Sequence, residues 1–435
     1  MTKSLAFRQM RVFLLVWFGQ LVSLIGSGLT SFALGVWVYQ RTGSVTQFSL
    51  ILLSAMLPSI LISPVAGAFV DRWNRRWCMI LSDSGAGITT VAMALLLTTG
   101  NLEIWDIYLA VSLSSVCKAF QLPAYTASTA LLVPKEQLPR ASGMVQSGQA
   151  CAQLISPLLA GILLGIIQLE GVILMDFATF LFALTTLLFV RFPDAKTAAV
   201  PVDGKASLWR EAVEGCTYIF VRPGLLALLI IFALNNFVLG MIEVLFTPLV
   251  LSFTSVTVLG TIQSIGGAGM LLGSVVMSIW GGPRILIRGV FGFAFLSQLC
   301  ILALGLRADA ALFALAFFLF FFSLPFINGW CDAILLRKVA PDIQGRVFAT
   351  INMICFSCIP LAYVVAGPLA ERIFEPLMAT DGLLAGSIGQ IIGVGPGRGI
   401  GLLFITMEIL AIGVTVAVYR YPRLRFVESE LPDAI

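Results

Sequence analysis

Histidine is absent from the 435 residues of this chain. Its absence excludes His-based catalytic triads and His metal sites, and any proton relay must use carboxylates. Charge is scarce as well: charged residues make up 11% of the chain, against 59% hydrophobic residues and a mean hydropathy of +1.01. This composition excludes a soluble domain with one core and is typical of a polytopic membrane protein.

Cysteine and basic residues show no pattern typical of metal or nucleic-acid sites. Most of the eight cysteines lie within apolar runs without metal-ligand spacing, so we expect small buried thiols, no metal and no cofactor. The net charge of +4 comes from basic residues spread over many short loops, so we expect no nucleic-acid partner. No set of nucleophile and base is visible, and we do not expect an enzyme.

Long apolar runs fill the chain and predict twelve membrane-spanning helices, since about 20 apolar residues cross a bilayer. The fold class is therefore an all-α polytopic membrane protein. The first run follows a short basic start and lacks a small-residue cleavage site, which favours a span over a signal peptide. Spans 1 to 12 are predicted at 12–39, 48–70, 77–97, 104–127, 143–167, 172–190, 225–253, 258–280, 285–306, 312–332, 348–374 and 401–419.

Lysine and arginine are distributed unevenly between alternate loops. With the N-terminus inside, 21 of the 26 basic residues fall in cytoplasmic segments, four fall outside and Lys118 lies within span 4. Because short cytoplasmic loops carry the excess of Lys and Arg, both termini are predicted to be cytoplasmic.

One long polar connection divides six spans from six. It carries Pro193, Pro201 and Gly204 and predicts a linker followed by a short amphipathic helix. The expected organisation is a six-helix half at 1–192, a linker at 193–223, a second half at 224–420 and a tail at 421–435. Residues 206 positions apart match, which predicts pseudo-symmetric duplicated halves. The matches are Gly67 with Gly273, Arg140 with Arg346, Ala160 with Ala366, and Gly161 with Gly367.

A charged loop joins spans 2 and 3 and reads G-x-x-x-D-R-x-x-R-R, with Gly67, Asp71, Arg72, Arg75 and Arg76 at the fixed positions. A basic topology anchor is the simplest interpretation. The pattern also resembles the signature loop of major facilitator superfamily transporters. This resemblance implies that Asp71 faces a helix N-terminus in the other half, where the helix dipole favours an anion. It also implies that the arginines pair with carboxylates or lipid phosphates, and that the loop forms an inside gate.

Span 5 has small residues at the spacing of the superfamily's antiporter pattern, G-x8-G-x3-G-P-x2-G-G, with Ala or Ser replacing three glycines. Small residues let helix backbones approach closely, and ordinary helix packing is the alternative interpretation. The resemblance implies an exporter that exchanges substrate for protons. The positions are Gly143, Ala152, Ser156, Pro157, Ala160 and Gly161.

Ionisable residues within spans are functional candidates, because charge in the bilayer is costly. Glu243 is the first candidate proton carrier, since buried carboxyl groups can load and release protons near neutral pH. Glu408 is the second, on a last span that is usually peripheral in the family, and Asp176 is the third. A structural role is open for each. Asp83, Asp176 and Asp332 are expected to fix helix ends or to pair with arginines.

Polar residues in spans 1, 4 and 7 are candidates for a substrate cavity. Lys118 is expected to attract an anionic group or to tune a carboxylate, with a structural ion pair as the alternative. Helical spacing places Asn236 and Glu243 on one face, with Gly240 between them. The cavity candidates are Gln20, Lys118, Gln121, Asn235 and Asn236, together with Ser23, Ser27 and Thr30.

Further matches resemble the branch of macrolide-efflux and enterobactin-exporter-type carriers. They are Asp176-x3-Phe180, Leu131-Leu132-Val133-Pro134, Glu214-Gly215 and Arg222-Pro223-Gly224-Leu225. The resemblance implies a monomeric secondary exporter in the bacterial inner membrane, in contact with lipid. It would move a hydrophobic or amphipathic drug, macrolide or siderophore by proton antiport with alternating access. A lipid or natural-product exporter or flippase, and a non-transporting receptor, are the alternatives.

Overall fold

The computed structural model describes residues 3–133, 137–190, 217, 220–221, 223–339 and 344–420. Within these ranges the chain is helical and forms no strand. The long helices are α1 (Lys3–Thr42), α2 (Val45–Arg72), α3 (Arg75–Thr98), α4 (Ile104–Leu132), α5 (Leu138–Phe189), α6 (Pro223–Leu251), α7 (Val256–Trp280), α8 (Leu286–Leu306), α9 (Ala310–Lys338), α10 (Gln344–Leu369) and α11 (Arg398–Arg420). A π-helical turn, Ala370–Phe374, extends α10, and short helices follow at Glu375–Leu377 and Gly389–Ile392.

The lengths of these helices confirm the predicted all-α polytopic membrane fold. Eleven helices in the described part of the chain are long and apolar enough to cross a bilayer. The apolar segment of α5 runs over 50 residues, Arg140–Phe189, which is more than twice the length of one span. Gln168, with a φ of 56°, breaks this helix and separates predicted spans 5 and 6. The eleven helices therefore supply twelve spans.

The chain divides into two compact units. The first unit is Met1–Gly43 with Gln47–Pro201, and the second is Ser44–Thr46 with Val202–Ile435. The predicted amphipathic helix in the linker and the tail at 421–435 lie outside the described residues.

In the first unit, α1 packs along α5, and α3 packs against α4 and α5. Small residues bring α1 and α5 together: a Cβ added to Gly28 would collide with the side chain of Ser156. The Ser156 hydroxyl donates to the carbonyl of Ile25 at 3.1 Å. Close contact between these helices therefore depends on a glycine and a polar side chain, as is common between membrane helices.

In the second unit, α6 packs against α10, α8 against α11, and both α7 and α8 against α9. Glycines let α7 reach the backbone of α9. A Cβ at Gly269 would meet the carbonyl of Phe318, and a Cβ at Gly273 would meet that of Phe322. Trp330 on α9 is fully buried, and its indole nitrogen donates to the carbonyl of Gly281 at 3.0 Å.

The helix bounds carry the same period of 206 residues that the sequence matches predict. Helix α4 begins at Ile104 and ends at Leu132, and α9 begins at Ala310 and ends at Lys338. Helices α5 and α10 begin at Leu138 and Gln344, which are also 206 residues apart. The duplication therefore extends from single residues to the ends of whole helices.

Candidate functional site

Three polar side chains form a closed hydrogen-bonded triad inside the first unit. Gln20 on α1 donates to a carboxylate oxygen of Asp83 on α3 at 3.1 Å. Gln121 on α4 donates to the other carboxylate oxygen of Asp83 and, at 2.8 Å, to the side-chain oxygen of Gln20. The triad thus joins two of the predicted cavity residues through one buried carboxylate.

Asp83 differs from its sequence expectation. We expected it to fix a helix end or to pair with an arginine. It lies instead within α3, and its hydrogen-bond partners are the two amides. Each amide supplies a donor that a buried carboxylate needs, because an unsatisfied buried charge is costly.

Lys118 and Asp176 form a second polar group in the first unit. The Asp176 carboxylate is buried on α5 and accepts a hydrogen bond from the Ser27 hydroxyl of α1 at 3.5 Å. Lys118 on α4 is exposed and attracts Asp176 electrostatically. Asp176 therefore lies within its helix and not at its end, with the Ser27 hydroxyl as a donor and an electrostatic attraction to Lys118.

The signature loop ends α2 and begins α3. The Asn74 side chain caps α3 by accepting from the backbone N–H of Arg76 at 3.1 Å. Arg75 donates to the carbonyl of Ala127 on α4 at 3.2 Å. Arg76 donates to the carbonyls of Leu187 and Leu188 near the end of α5, at 3.1 and 2.7 Å.

Arg75 and Arg76 thus donate to backbone carbonyls, and their pairing with carboxylates or lipid phosphates stays a prediction. Carbonyls near a helix C-terminus carry partial negative charge, which favours a cation. The side chains of Asp71 and Arg72 lie outside the described residues. A Cβ added to Gly67 would have no described atom within 4 Å.

The small residues of predicted span 5 lie on the first part of α5. Ala152, Ser156, Ala160 and Gly161 are buried, Pro157 is half-buried and Gly143 is exposed. Their burial fits close helix packing, which small side chains permit. The antiporter role implied by their spacing stays a prediction.

In the second unit, Glu243 on α6 accepts a hydrogen bond from the Tyr363 hydroxyl of α10. Gly240 makes this approach possible, because a Cβ there would collide with Ala362 and Ile359 of α10. Tyr363 was not among the residues expected from the sequence. Its signal was a tyrosine within a span, since a buried tyrosine hydroxyl usually has a hydrogen-bond partner.

The two predicted asparagines of α6 have different surroundings. The Asn236 side chain donates to the carbonyl of Phe232 one turn earlier at 2.9 Å, so this hydrogen bond lies within its own helix. Asn235 lines a small cavity of about 20 Å³ together with Glu408 of α11. Glu408 is 0% exposed, although the last span was expected to be peripheral. Gln298 and Thr415 also line the cavity, and neither was among the residues expected from the sequence.

Within the described ranges, no group of three or more Cys, Asp and Glu side chains is placed to bind a metal ion.

Comparisons with known proteins identify the family. Residues 16–363 match the model of the Major Facilitator Superfamily. The chain is 30% identical over 378 residues to Macrolide efflux protein A of Streptococcus pyogenes, covering 83% of this chain and 90% of that protein. It is 23% identical over 370 residues to Multidrug efflux pump Tap of Mycolicibacterium fortuitum, covering 82% and 89%.

Solved structures show the same fold. A bacterial homologue of the human lysosomal transporter Spinster superimposes with a TM-score of 0.69 at 15% identity, covering 97% of this chain and 98% of that chain. At this identity the likeness concerns the fold alone.

Proposed function

Because this chain belongs to the Major Facilitator Superfamily, a family of membrane transporters, we propose that it exports a hydrophobic or amphipathic small molecule, with macrolides as the first substrate class. The observation that carries the proposal is the 30% identity to Macrolide efflux protein A, which extends over 90% of that protein. The relative named Multidrug efflux pump Tap supports export and a broad substrate class. The export is secondary, by proton antiport with alternating access, from the bacterial inner membrane.

Glu243 is assigned as the proton carrier. It is the charged residue of α6 with a hydroxyl partner on another helix, Tyr363 of α10. The Tyr363 hydroxyl donates to the ionised carboxylate, whereas a protonated carboxyl group has its own proton to donate. Loading a proton on Glu243 therefore changes the hydrogen bond between α6 and α10. Such a change is a physical route from protonation to conformation.

Substrate recognition is assigned to the polar groups of the spans. Gln20 and Gln121 keep polar atoms inside the first unit, where the triad holds them in place. Lys118 is exposed within a span, and a charged side chain there is expected to face a water-filled cavity. In the second unit Asn235 and Asn236 take this role. The small residues of α5 that match the antiporter pattern are assigned the role of letting neighbouring helices pack closely.

The signature loop is assigned as the gate on the cytoplasmic side, with both termini cytoplasmic and the protein a monomer in lipid. The motif residues Gly67 and Asp71 carry this assignment, while Arg75 and Arg76 anchor the loop to α4 and α5. Replacing Asp71 by Asn is expected to impair turnover and to leave thermal unfolding unchanged. Full turnover by that variant would contradict the gate.

Lys118 favours a second candidate function. A cation in a span of the first unit suits an anionic group on the substrate. The chain would then export an anionic natural product, a siderophore or a lipid, and the Lys118→Ala variant would bind it more weakly. A variant with unchanged affinity for every transported compound would remove this candidate.

The proposal is tested by efflux from proteoliposomes under an imposed pH gradient. The compounds are a macrolide, a cationic dye and a catecholate siderophore, each also tested in protein-free liposomes. The expected result is macrolide export that stops when an ionophore collapses the gradient. Siderophore export alone would select the second candidate. Transport unaffected by the ionophore would contradict proton coupling.

A further inference from the structure

A small cavity lies inside the second unit, between α6, α8, α9 and α11. Its volume is about 20 Å³, and its polar lining consists of Asn235, Ser297, Gln298, Glu408 and Thr415. A cavity needs roughly 10–15 Å³ to hold one water molecule. This one therefore has room for a single water-sized occupant and excludes any organic substrate.

The cavity wall holds three hydrogen-bond acceptors that no described donor reaches. Both carboxylate oxygens of Glu408 and the side-chain oxygen of Gln298 are buried with no hydrogen-bond partner among the described residues. The Gln298 amide nitrogen donates to the Thr415 hydroxyl at 2.8 Å. This hydrogen bond orients the amide, and the amide oxygen has no donor among the described residues.

The other hydroxyl group on the wall, that of Ser297, does not donate to these oxygens either. Ser297 donates its proton to the carbonyl of Ala294 in its own helix at 2.8 Å. Three buried acceptors thus share one cavity in which no described donor reaches them. Each buried polar atom without a partner costs about 1–3 kcal/mol, and more when it is charged.

Charge points to the identity of the occupant. Glu408 is 0% exposed, and an isolated carboxylate in a low-dielectric interior is far too costly to remain unpaired. Cys331 of α9 is the other titratable side chain on the described wall, while α6 and α8 present neutral groups there. One carboxylate balances one positive charge, so a divalent ion would leave an excess charge buried. Oxygen ligands prefer small, hard cations.

We propose that this cavity is a binding site for one small monovalent cation, Na⁺ or a proton, which neutralises Glu408 inside the second unit. The site is distinct from the Glu243–Tyr363 pair, which joins α6 to α10. The proposal concerns the charge balance of the second unit and does not depend on which molecule the protein exports.

The test uses the purified full-length protein in detergent, without any transport substrate. Binding of radioactive Na⁺ and thermal unfolding are measured as Na⁺ replaces choline at constant ionic strength. Infrared difference spectra between acidic and alkaline buffers, recorded in choline, report the C=O stretch of a carboxyl group that gains a proton. The wild type is compared with Glu408→Gln and with Asp332→Asn, which alters an exposed carboxylate on α9.

If Na⁺ is the occupant, the wild type and Asp332→Asn bind about one ion and unfold at a higher temperature in Na⁺. Glu408→Gln should then bind at least about tenfold more weakly and lose the Na⁺ effect. If a proton is the occupant, the wild type shows a carboxyl band that Glu408→Gln lacks and that Asp332→Asn keeps. A further variant, Gln298→Met, should weaken Na⁺ binding or shift that band, because it removes one of the three acceptors.

The proposal is overturned if wild type and Glu408→Gln give equal Na⁺ binding and identical carboxyl bands, since Glu408 would then neither bind Na⁺ nor gain and release a proton. Because no exported compound is used, this outcome would leave the proposed export untouched. Conversely, failed export in proteoliposomes would leave the cation site standing.

Discussion

The two units fill equivalent positions in opposite ways. Positions 83, 121 and 124 of the first unit hold Asp83, Gln121 and Ala124; the positions 206 residues later hold Gly289, Ile327 and Trp330. The first unit places a carboxylate and an amide there, linked to Gln20 by hydrogen bonds.

The second unit places a tryptophan ring there instead. A Cβ at Gly289 would collide with the ring of Trp330, and so would one at Gly282, the counterpart of Arg76. The ring also contacts Phe293, Phe326 and Trp280.

This difference shows where each unit places the polar side chains of its interior. At the level of the triad, the first unit has three side chains able to bind polar groups, while the second unit is sealed by aromatic packing. The second unit holds its carboxylates elsewhere, at Glu243 and Glu408. Asp83 and Asp176 of the first unit have partners within it, whereas Glu408 has none among the described residues. The repeat therefore provides a shared helical frame, and chemistry is added separately to each copy.

The largest expected effect on stability comes from removing the aromatic ring that fills these positions in the second unit. Trp330→Ala should destabilise the protein by about 3–5 kcal/mol, because a large buried ring leaves a cavity. Trp330→Phe keeps most of the packing and loses the hydrogen bond to Gly281, which costs about 1 kcal/mol. Denaturant unfolding in detergent measures both values. A loss under 1 kcal/mol for Trp330→Ala would show that the ring does not hold the second unit together.

The contribution of the hydrogen-bonded triad to the first unit is tested with Asp83→Leu. This change leaves the amides of Gln20 and Gln121 without their common acceptor, at about 1–3 kcal/mol for each unsatisfied group. Asp83→Asn retains one acceptor oxygen and is the matched control, with a smaller loss. The same unfolding assay applies. Equal stability of the wild type and Asp83→Leu would mean that the triad contributes nothing to the first unit.

A smaller effect separates the repeat-related glycines, Gly67 and Gly273. Gly273→Ala should cost about 1–3 kcal/mol, because its Cβ meets the carbonyl of Phe322. Gly67→Ala should leave stability unchanged or raise it by up to about 1 kcal/mol, since alanine is the better helix former. The melting temperatures of the two variants give the comparison. If Gly67→Ala abolishes transport while remaining folded, the role of Gly67 is in the gate and not in packing.

The fold followed from sequence further than the site did. Hydropathy predicted twelve spans because burial in a bilayer demands long apolar helices, and the gap between 167 and 172 contains the helix break at Gln168. The period of 206 residues found in single residues recurs in the bounds of α4 and α9.

Side-chain partners were much harder to predict. Hydropathy does not determine how a helix is rotated or which neighbour it contacts. The sequence therefore pointed to Glu243 without its tyrosine, and to Glu408 without Gln298 or Thr415. It also led us to expect Asp83 to fix a helix end or to pair with an arginine, where helix rotation presents two glutamines.

The central claim, proton-coupled export through Glu243, is tested most directly by proton flux on adding a macrolide to proteoliposomes at equal pH on both sides. A pH-sensitive dye inside the vesicles reports the flux, and exchange of labelled macrolide is measured in parallel. The account predicts that wild-type protein moves protons when macrolide is added. The Glu243→Gln variant should move none and yet keep macrolide exchange. Proton flux of equal size in Glu243→Gln would contradict the account.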